Sequence, residues 1–522
     1  MQHKVIKKFA YFMIKFWRGY YYDMKRYFLG IDQGTTGSTA LLINEQWDVV
    51  ATKNIEHTQI YPNPGWVEHD PVEIWNAIQN AVAAVLRQVG AKPEQVVSIG
   101  IDNQGETCMV WDKATGQPVY NALVWQDRRT AEYADELNEK YGEMIVEKTG
   151  LGPDAYFSAT KIKWILDNVE GVRERAAKGE VMAGTLDAWL IWKFTNGAAF
   201  ITDASTASRT MMLDLKKGDW DQELLDIYNI PRSILPQVTN SSQVYGYTTP
   251  ETFYGAKVPV AACITDALAA MLAQGCLDQG DIKTTYGTGC FMYINLGDTV
   301  RYSKNGLITV SSWQVNNKIN YAYDGGVYIA GAAIQWLRDK LRLIWSSAET
   351  DSIAASIKDT GGLYFVPAFS GLAAPHWDQY ARGMMIGITG GTTREHIVRA
   401  TLESIAFQVY DNAQVMKKDS GYDFSVMKAD GGPVVNKFLM QFQADILGTA
   451  VDVPVVTEMT AYGAAFLAAR AVGEFDSIQD VRKCWKRACR YEPQMSQTER
   501  EYRLEQWHRA VERAKAWELP NR

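Results

Sequence analysis

The 522-residue sequence lacks the two commonest nucleotide-binding signatures and any paired cysteine motif. It has no Gly-x-x-x-x-Gly-Lys-Ser/Thr loop and no Gly-x-Gly-x-x-Gly turn, so a bound nucleotide must be held in another way. Its six cysteines are scattered without a Cys-x-x-Cys pair, and its six histidines form no cluster along the chain. These absences argue against a disulfide framework and a zinc motif, and they favour reduced thiols in a cytoplasmic protein.

The sequence also has no excess of basic over acidic residues. The chain has 53 Lys and Arg against 60 Asp and Glu, a formal net charge of −7, which argues against a general nucleic-acid binder. Residues 1–23 are basic and aromatic, but charges interrupt their apolar run, so we expect neither a membrane-spanning helix nor a signal peptide. We interpret 1–23 as a disordered extension or a mis-assigned start before Met24, with a membrane-surface segment as the alternative.

Strand-like and helical patterns alternate along the remaining chain and predict two α/β domains that meet at a cleft. Short apolar runs predict strands, and segments with helical periodicity predict helices at Pro71–Val89, Thr185–Phe194, Ala333–Leu343 and Glu395–Lys417. A new strand-rich block begins near Gly280, which places the boundary near residues 255–280. We therefore expect an N-terminal domain over 24–273 and a C-terminal domain over 274–522.

The stretch from Asp32 to Ser38, Asp-Gln-Gly-Thr-Thr-Gly-Ser, carries the strongest functional signal. It lies between the strand-like runs Tyr27–Ile31 and Thr39–Ile43, which predicts a hairpin with an acid at the end of its first strand. Turn amides and hydroxyls can donate to phosphate oxygens, and the acid can hold a divalent cation through its waters. A plain Gly/Thr turn is the alternative for this stretch taken alone.

Two further glycine turns occur in the second half of the chain. Tyr286-Gly287-Thr288-Gly289-Cys290 separates two strand-like runs, and Asp430-Gly431-Gly432-Pro433 precedes a helix that starts near Asn436. Bare glycine amides and a helix N-terminus suit the anionic or polar edge of a nucleotide. Phosphate-binding turns in both halves predict a ligand enclosed between two lobes.

These turns occur in the order found in FGGY carbohydrate kinases, which the chain resembles from about Met24 to Arg522. Both signature stretches of that family are present, at 156–168 and at 383–403. Within the family the chain is most similar to glycerol kinases, in the amino-acid sequences of segments 121–130, 330–339 and 371–377. The resemblance implies two actin-like ATPase (ribonuclease H-like) domains and transfer of phosphate from ATP, with Mg²⁺, to a primary hydroxyl of glycerol or a related polyol or sugar.

The resemblance also implies roles for single residues. Asp32 would sit near the metal that bridges the nucleotide phosphates. The nucleotide would be bounded by residues of the three glycine turns and the helices that follow them: Thr35, Thr36, Gly37, Thr288, Gly331, Gln335, Gly432 and Asn436. Asp266 would be the catalytic base that accepts the proton of the attacking hydroxyl. The polyol would be surrounded by Glu106, Trp125, Tyr156, Asp266 and Phe291.

Three positions depart from the usual glycerol kinase pattern. Gly105 stands where an Arg is common, Ala267 where a Gln is common, and Thr39 where an Arg is frequent. The first two changes remove hydrogen-bond donors and volume from the acceptor pocket, which favours an acceptor longer than glycerol, such as a tetritol, pentitol or ketopentose. A catalytically weak nucleotide-binding regulator on the same scaffold is the alternative. A homodimer or homotetramer is compatible with the sequence, which identifies no interface.

Overall fold

The computed structural model describes residues 25–518, so the interpretation of residues 1–23 lies outside the described part. The chain folds into two α/β lobes, each with a central mixed sheet covered by helices. The predicted fold class is therefore confirmed at the level of two sheet-and-helix lobes. Among the described residues, no helix is both long enough and apolar enough to cross a membrane.

The strands are numbered in chain order: β1 Tyr27–Gln33, β2 Gly37–Asn44, β3 Val49–Glu56, β4 Glu68–His69, β5 Val96–Asn103, β6 Cys108–Asp112, β7 Ala122–Leu123, β8 Val181–Thr185, β9 Ile201–Asp203, β10 Leu213–Asp214, β11 Asp219–Trp220, β12 Gln237–Thr239, β13 Ser242–Tyr247, β14 Pro259–Thr265, β15 Ile282–Tyr286, β16 Cys290–Gly297, β17 Ile308–Val315, β18 Lys318–Val327, β19 Tyr364–Val366, β20 Met384–Ile386, β21 Val426–Asp430, β22 Ala450–Pro454 and β23 Arg487–Tyr491.

The α-helices are numbered likewise: α1 Pro71–Val89, α2 Ala131–Thr149, α3 Ser158–Asn168, α4 Val172–Ala177, α5 Leu186–Phe194, α6 Ala204–Ala207, α7 Gln222–Tyr228, α8 Asp266–Ala273, α9 Gly331–Asp339, α10 Glu349–Ala355, α11 Arg394–Ser420, α12 Lys437–Leu447, α13 Met459–Ala471, α14 Val481–Cys484 and α15 Gln497–Ala514. Short 3₁₀ turns occur at Pro93–Gln95, Arg232–Ile234, Gly432–Val435 and Ile478–Asp480.

The first lobe is built on a sheet with the strand order β13-β14-β5-β1-β2-β3. β1, β2 and β3 form antiparallel hairpins, as the Gly/Thr turn after β1 predicts, and β5 and β14 run parallel to β1. Parallel strands present their carboxyl ends at one edge of a sheet. The acids at the ends of β1 and β5 therefore share that edge with the residue that follows β14.

The second lobe repeats this plan with the order β17-β18-β16-β15-β21-β22-β23. A hairpin joins β15 to β16, and β21 runs parallel to β15 with Thr285 opposite Asp430. Helices α11, α12 and α15 contribute to an apolar core around this sheet that is separate from the core between α1 and the first sheet. The chain boundaries proposed for the two domains stay a prediction.

Helix α13 follows β22 of the second lobe but packs on the sheet of the first. It crosses β1 and β5 so closely that a Cβ at Gly30 would lie 2.0 Å from the carbonyl oxygen of Ala461. A Cβ at Gly100 would lie 2.0 Å from the carbonyl oxygen of Ala464. Because only glycine permits these approaches, the two glycines fix the helix against the strands whose acids face the site.

Candidate active site

Three aspartates lie along one edge of the first sheet. Asp32 on β1 is aligned with Asp102 on β5, and Asp102 is aligned on its other side with Ile264 on β14. Asp266 follows two residues after Ile264 and begins α8. The strand order β14-β5-β1 thus brings the proposed base and the proposed metal-binding acid to the same edge, with Asp102 between them.

The turn between β1 and β2 contains the three predicted phosphate-binding residues Thr35, Thr36 and Gly37. Gly34 N–H donates to the Gly37 carbonyl over 3.0 Å and closes the turn. A Cβ at Gly37 would lie 2.8 Å from the carbonyl oxygen of Ile55 on β3, so glycine lets the hairpin lie flat against its neighbour. Gln59 Nε2 donates to the Thr35 carbonyl over 2.9 Å, which holds the turn from outside.

Thr39 follows this turn on β2 and is paired with Asp32 across the hairpin. Its hydroxyl accepts a hydrogen bond of 2.9 Å from Asn54 Nδ2 on β3. Thr39 is thus a neutral residue at a position where glycerol kinases frequently have an Arg, and its hydroxyl is hydrogen-bonded to the neighbouring strand.

The glycine turns of the second lobe meet at one end of its sheet. Gly331 N–H donates to the Gly287 carbonyl over 2.9 Å, and the Thr288 carbonyl accepts from the N–H groups of Ala330 and Ala332. A Cβ at Gly331 would lie 2.5 Å from the Gly287 carbonyl oxygen. The N-terminus of α9 is therefore docked directly onto the turn that contains Thr288.

The third glycine turn adjoins the same place. Gly431 has a φ of +91°, and a Cβ there would lie 2.1 Å from the carbonyl oxygen of Tyr286, so this position requires glycine. The next residue, Gly432, is exposed with no atom within 4 Å of its Cβ direction. Gln335 is also exposed, about one turn into α9. The structure thus brings Thr288, Gly331 and Gly432 around open space at the end of β15 and β21.

Asn436 differs from the other predicted nucleotide residues because its side chain already has two partners. It is buried and caps α12, where its Oδ1 accepts from Leu439 N–H over 2.8 Å. Its Nδ2 donates to Thr350 Oγ1 over 3.0 Å. This side chain fixes the start of α12, and any contribution to a nucleotide pocket would come through that positioning.

The predicted acceptor residues are organised by an arginine that sequence reasoning missed. Arg209 is buried, and its Nε donates to Glu106 Oε1 over 2.5 Å. Its guanidinium also donates to Asp324 Oδ2 over 2.7 Å and to the Tyr156 hydroxyl over 3.3 Å. Since Asp324 lies on β18 of the second lobe, one side chain joins the acceptor residues of the first lobe to its neighbour.

The aromatic residues are placed around this group. The ring of Trp125 meets that of Tyr156 edge to face with centroids 5.7 Å apart. Trp125 Nε1 also donates to Thr35 Oγ1 over 2.9 Å, which links the acceptor residues to the phosphate hairpin. Phe291, 38 % exposed, lies on β16 of the second lobe, two residues before Tyr293 and on the same face of the strand.

The space expected at Gly105 is occupied. A Cβ there would lie 3.0 Å from Thr265 Cγ2 and 3.1 Å from Arg209 Cγ. The side-chain stem of Arg209 thus lies close to where a side chain at 105 would begin, and its guanidinium stands beside Glu106. The structure therefore shows no open space next to the Cα of Gly105, and the enlarged pocket stays a prediction.

Asp266 has the properties of a base held ready to accept a proton. Burial raises its pKa from 3.8 to about 6, against the hydrogen bond from Ala267 N–H, and the Glu106 carboxylate raises it further. The positive charges of Lys283 and Arg209 act in the opposite direction. Lys283 is itself fully buried and donates to Thr285 Oγ1 over 2.6 Å. Near pH 7 the carboxylate of Asp266 is ionised and still basic.

Four residues of this site belong to no recognised motif: Asp102, Arg209, Lys283 and Asp324. Arg209 reaches partners 103 and 115 positions away in the chain, which no motif encodes. The one available signal is charge within an apolar or small-residue run, as for Asp102 after Val96–Ile101 and Lys283 within β15. Buried charges at such places are rare unless they are paired or functional.

Comparison with known proteins agrees with this geometry. The model for the FGGY family of carbohydrate kinases, N-terminal domain, matches residues 27–273, and that for its C-terminal domain matches 282–472. "Glycerol kinase 2" of Thermotoga maritima is 55% identical over 494 residues, 94% of this chain and 99% of that protein. "Glycerol kinase" of Caldanaerobacter subterraneus is 50% identical over 495 residues, 95% of this chain and 99% of that protein.

Solved structures give the same result. The chain superimposes on Plasmodium falciparum glycerol kinase with ADP with a TM-score of 0.87 at 36% identity, covering 94% of this chain and 98% of that one. Gluconate kinase from Lactobacillus acidophilus has a TM-score of 0.84 at 21% identity over 94% and 97% of the two chains, which shows a shared fold only. The two lobes are thus actin-like ATPase domains, as the resemblance implied.

Proposed function

The chain belongs to the FGGY family of carbohydrate kinases, and we propose that it transfers the γ-phosphoryl group of ATP to a primary hydroxyl of glycerol. The carrying observation is the acceptor group in which Arg209 joins Glu106, Tyr156 and Asp324 in a buried cluster next to Asp266. The relatives named glycerol kinase support the choice of acceptor.

The acceptor residues suit a small polyol. The Glu106 carboxylate accepts hydrogen bonds from hydroxyl groups, and the Arg209 guanidinium and Tyr156 hydroxyl donate to them. The rings of Trp125 and Phe291 would cover the carbon chain of the polyol. Arg209 and Thr265 lie close to where a side chain at 105 would begin, which supports glycerol over the longer acceptors that the sequence alone suggested. Ala267 remains the one departure that could leave room for a larger molecule.

Transfer would proceed by in-line displacement. The oxygen of the acceptor hydroxyl forms a bond to the γ-phosphorus while the bond from that phosphorus to the β–γ bridging oxygen breaks, and ADP leaves. The hydroxyl proton passes to the Asp266 carboxylate. The turn amides at 35–37 and 288–289 would hold phosphate oxygens from the two lobes, and enclosure between the lobes would keep water from accepting the phosphoryl group.

A divalent cation fits the acids at the edge of the first sheet. Asp32 is half-buried beside the fully buried Asp102, whose two carboxylate oxygens have no hydrogen-bond donor among residues 25–518. Oxygen-only ligands in such a pair match the preference of Mg²⁺. When bound, Mg²⁺ would neutralise the charge of the nucleotide phosphates. We therefore keep Asp32 as a metal-binding residue and Mg²⁺ as the cofactor.

The alternative of a catalytically weak regulator has no comparable support, since the relatives described above carry the name glycerol kinase and the proposed base and acceptor residues stand together. Oligomerisation to a dimer or tetramer remains a further expectation, to be measured by light scattering.

The direct test is ADP release with Mg·ATP against glycerol, erythritol, threitol, xylitol, ribitol, xylulose, ribulose and dihydroxyacetone. We expect glycerol to have the highest kcat/KM, and Asp266→Asn to slow release with every acceptor by roughly 10²-fold or more. A tetritol or ketopentose as the best acceptor would refute the assignment of glycerol. Absence of acceptor-dependent release across the panel would refute the kinase function.

A further inference from the structure

Asp102 is a buried acid that belongs to no sequence motif and takes no part in the proton transfer. It lies on β5 directly beside Asp32 on β1, and residues that are aligned on neighbouring parallel strands point to the same face of a sheet. That face is the one on which α13 packs, because Gly30 and Gly100, two residues before each acid, contact its backbone. The two carboxylates therefore stand side by side at the N-terminal end of α13.

The surroundings of Asp102 leave its charge without compensation. Asp102 is 0% exposed, and neither of its carboxylate oxygens has a hydrogen-bond donor in the described part of the chain. Within residues 25–518, no lysine or arginine nitrogen lies within 4.0 Å of Asp32 or Asp102, and Thr39, across from Asp32, is neutral. A buried carboxylate without a donor or a cation is strongly unfavourable.

Another buried acid of the same lobe shows what a structural carboxylate looks like here. Asp187 is also 0% exposed, but its oxygens accept from Thr185 Oγ1 over 2.5 Å and from Thr202 Oγ1 over 2.6 Å. The fold thus supplies donors to the buried acid Asp187 and, among residues 25–518, none to Asp102.

Burial raises the pKa of Asp32 to about 7 and that of Asp102 well above its ordinary value, and the Asp32 carboxylate raises the pKa of Asp102 further. The charge of Asp266 adds to both effects. Two adjacent acids resist ionising together, and a divalent cation bound at this edge would offset that cost.

We propose that Asp102 acts with Asp32 as a second carboxylate ligand for the divalent cation that accompanies the nucleotide phosphates. This inference rests on the proposed function for the presence of a nucleotide. Mg²⁺ commonly binds to one or two carboxylates together with phosphate oxygens and water, which is the donor set that two adjacent acids and a nucleotide provide. The cation is held by the protein through Asp102 as well as through the hairpin acid.

The test measures metal binding without any acceptor. Mn²⁺ is titrated into the full-length protein with saturating ADP, and free Mn²⁺ is followed by electron paramagnetic resonance. We expect Asp102→Asn to weaken Mn²⁺ binding by about tenfold or more, since loss of even an indirect metal contact costs 10- to 100-fold. Metal-free ADP should bind to Asp102→Asn as tightly as to the parent or more tightly, because a negative charge near the phosphates is removed.

Ser98→Ala is the matched control. Ser98 lies on the same face of β5, is 0% exposed and likewise has no hydrogen-bond partner in the described chain, but it is four residues away from the pair. It should leave Mn²⁺ affinity within about twofold of the parent, and Asp102→Ser would repeat the test if Asp102→Asn folds poorly. In thermal melting without metal, Asp102→Asn should be at least as stable as the parent. If the carboxylate of Asp102 had a purely structural role, its replacement would lower the melting temperature.

Two results would overturn the inference, and they are distinguishable from each other. Unchanged Mn²⁺ affinity in a folded Asp102→Asn protein, with normal glycerol-dependent ADP release in the parent, would remove Asp102 from the metal site and leave the proposed function intact. Failure of the parent protein to bind ADP with Mn²⁺ would refute the proposed function, and this inference with it.

Discussion

In the proposed site, the acceptor end around Arg209 and the phosphate end around Asp32 differ in how their charges are compensated. At the acceptor end, Arg209 is shared between Glu106 and Asp324, so the opposite charges are compensated before any ligand arrives. At the phosphate end, Asp32 and Asp102 stand together, and no lysine or arginine of residues 25–518 forms an ion pair with either of them. The difference indicates that the acceptor pocket is preorganised by the protein, whereas the phosphate pocket depends on what binds there to balance its charge.

The largest effect should come from the group between these two ends. Asp266→Asn keeps the size of the side chain but cannot accept the proton, so kcat should fall by roughly 10²- to 10⁴-fold. ADP affinity, measured by calorimetry, should stay within a few fold because Asp266 faces the acceptor. A loss of less than about 10-fold in kcat would remove Asp266 as the base.

Removing the arginine that organises the acceptor pocket should have the next largest effect on activity. Arg209→Met leaves two buried carboxylates unpaired, which typically costs about 3–5 kcal/mol of folding stability. It also removes charged hydrogen-bond donors from the acceptor, which typically costs about 1.5–3 kcal/mol of binding, or roughly 10- to 100-fold. We expect KM for glycerol to rise by about that factor and KM for ATP to change little, which a loss of stability alone would not produce. Arg209→Lys should recover only part of the affinity because a lysine cannot bridge Glu106, Asp324 and Tyr156 together.

Arg490→Met provides a control for loss of an arginine–carboxylate pair away from the site. Arg490 binds Asp452 through two nitrogens at the edge of the second sheet. This variant should leave both KM values unchanged. If KM for glycerol in Arg209→Met stays within threefold of the parent, the acceptor pocket is not organised by Arg209.

The pH dependence of activity follows from Asp266. Its pKa of about 6 means that the base is protonated below pH 6, so kcat/KM should fall about tenfold for each pH unit below that point. The measurement is a profile of kcat/KM for glycerol from pH 5 to 8 at saturating Mg·ATP, with melting at each pH as a check on folding. A flat profile down to pH 5 would contradict the role of Asp266.

Stability should depend on this acid with the opposite sign to activity. The folded-state pKa of about 6 lies above the ordinary value of 3.8, so the native state binds more protons than the unfolded state between these limits. The contribution of Asp266 to stability therefore falls as pH rises through that window. Asp266→Asn should consequently melt higher than the parent at pH 8 and gain little at pH 4.

The sequence allowed much of the scaffold to be predicted because that information is local. Helix α1 was predicted with the bounds that the structure has, since Asp70 caps its first turn and Gly90 ends it with a φ of 66°. The hairpin after Asp32 was readable from its acid and its glycines. The environment of the buried charges could not be predicted from the sequence. The partners of Arg209 come from distant parts of the chain, and the lack of a hydrogen-bond donor to Asp102 among residues 25–518 depends on how the chain folds around it.

Gly105 gives a second example of a property that depends on the folded environment and cannot be predicted from the local sequence. The sequence suggested spare volume there, because a large residue was replaced by glycine, but volume depends on every neighbour. Arg209 Cγ and Thr265 Cγ2 fill the place where a side chain would begin. A missing side chain therefore predicts a cavity only when no other residue reaches into it.

The smallest expected effect tests this point directly. Gly105→Ala places a Cβ 3.0 Å from Thr265 Cγ2 and 3.1 Å from Arg209 Cγ, so Arg209 must shift by a few tenths of an ångström. Overpacking at about 1 kcal/mol would raise KM for glycerol by about fivefold. Gly152→Ala, whose added Cβ meets no atom within 4 Å, should leave KM unchanged. If Gly105→Ala instead improved kcat/KM for glycerol relative to erythritol, position 105 would border spare room in the pocket, and the preference for a longer acceptor would return.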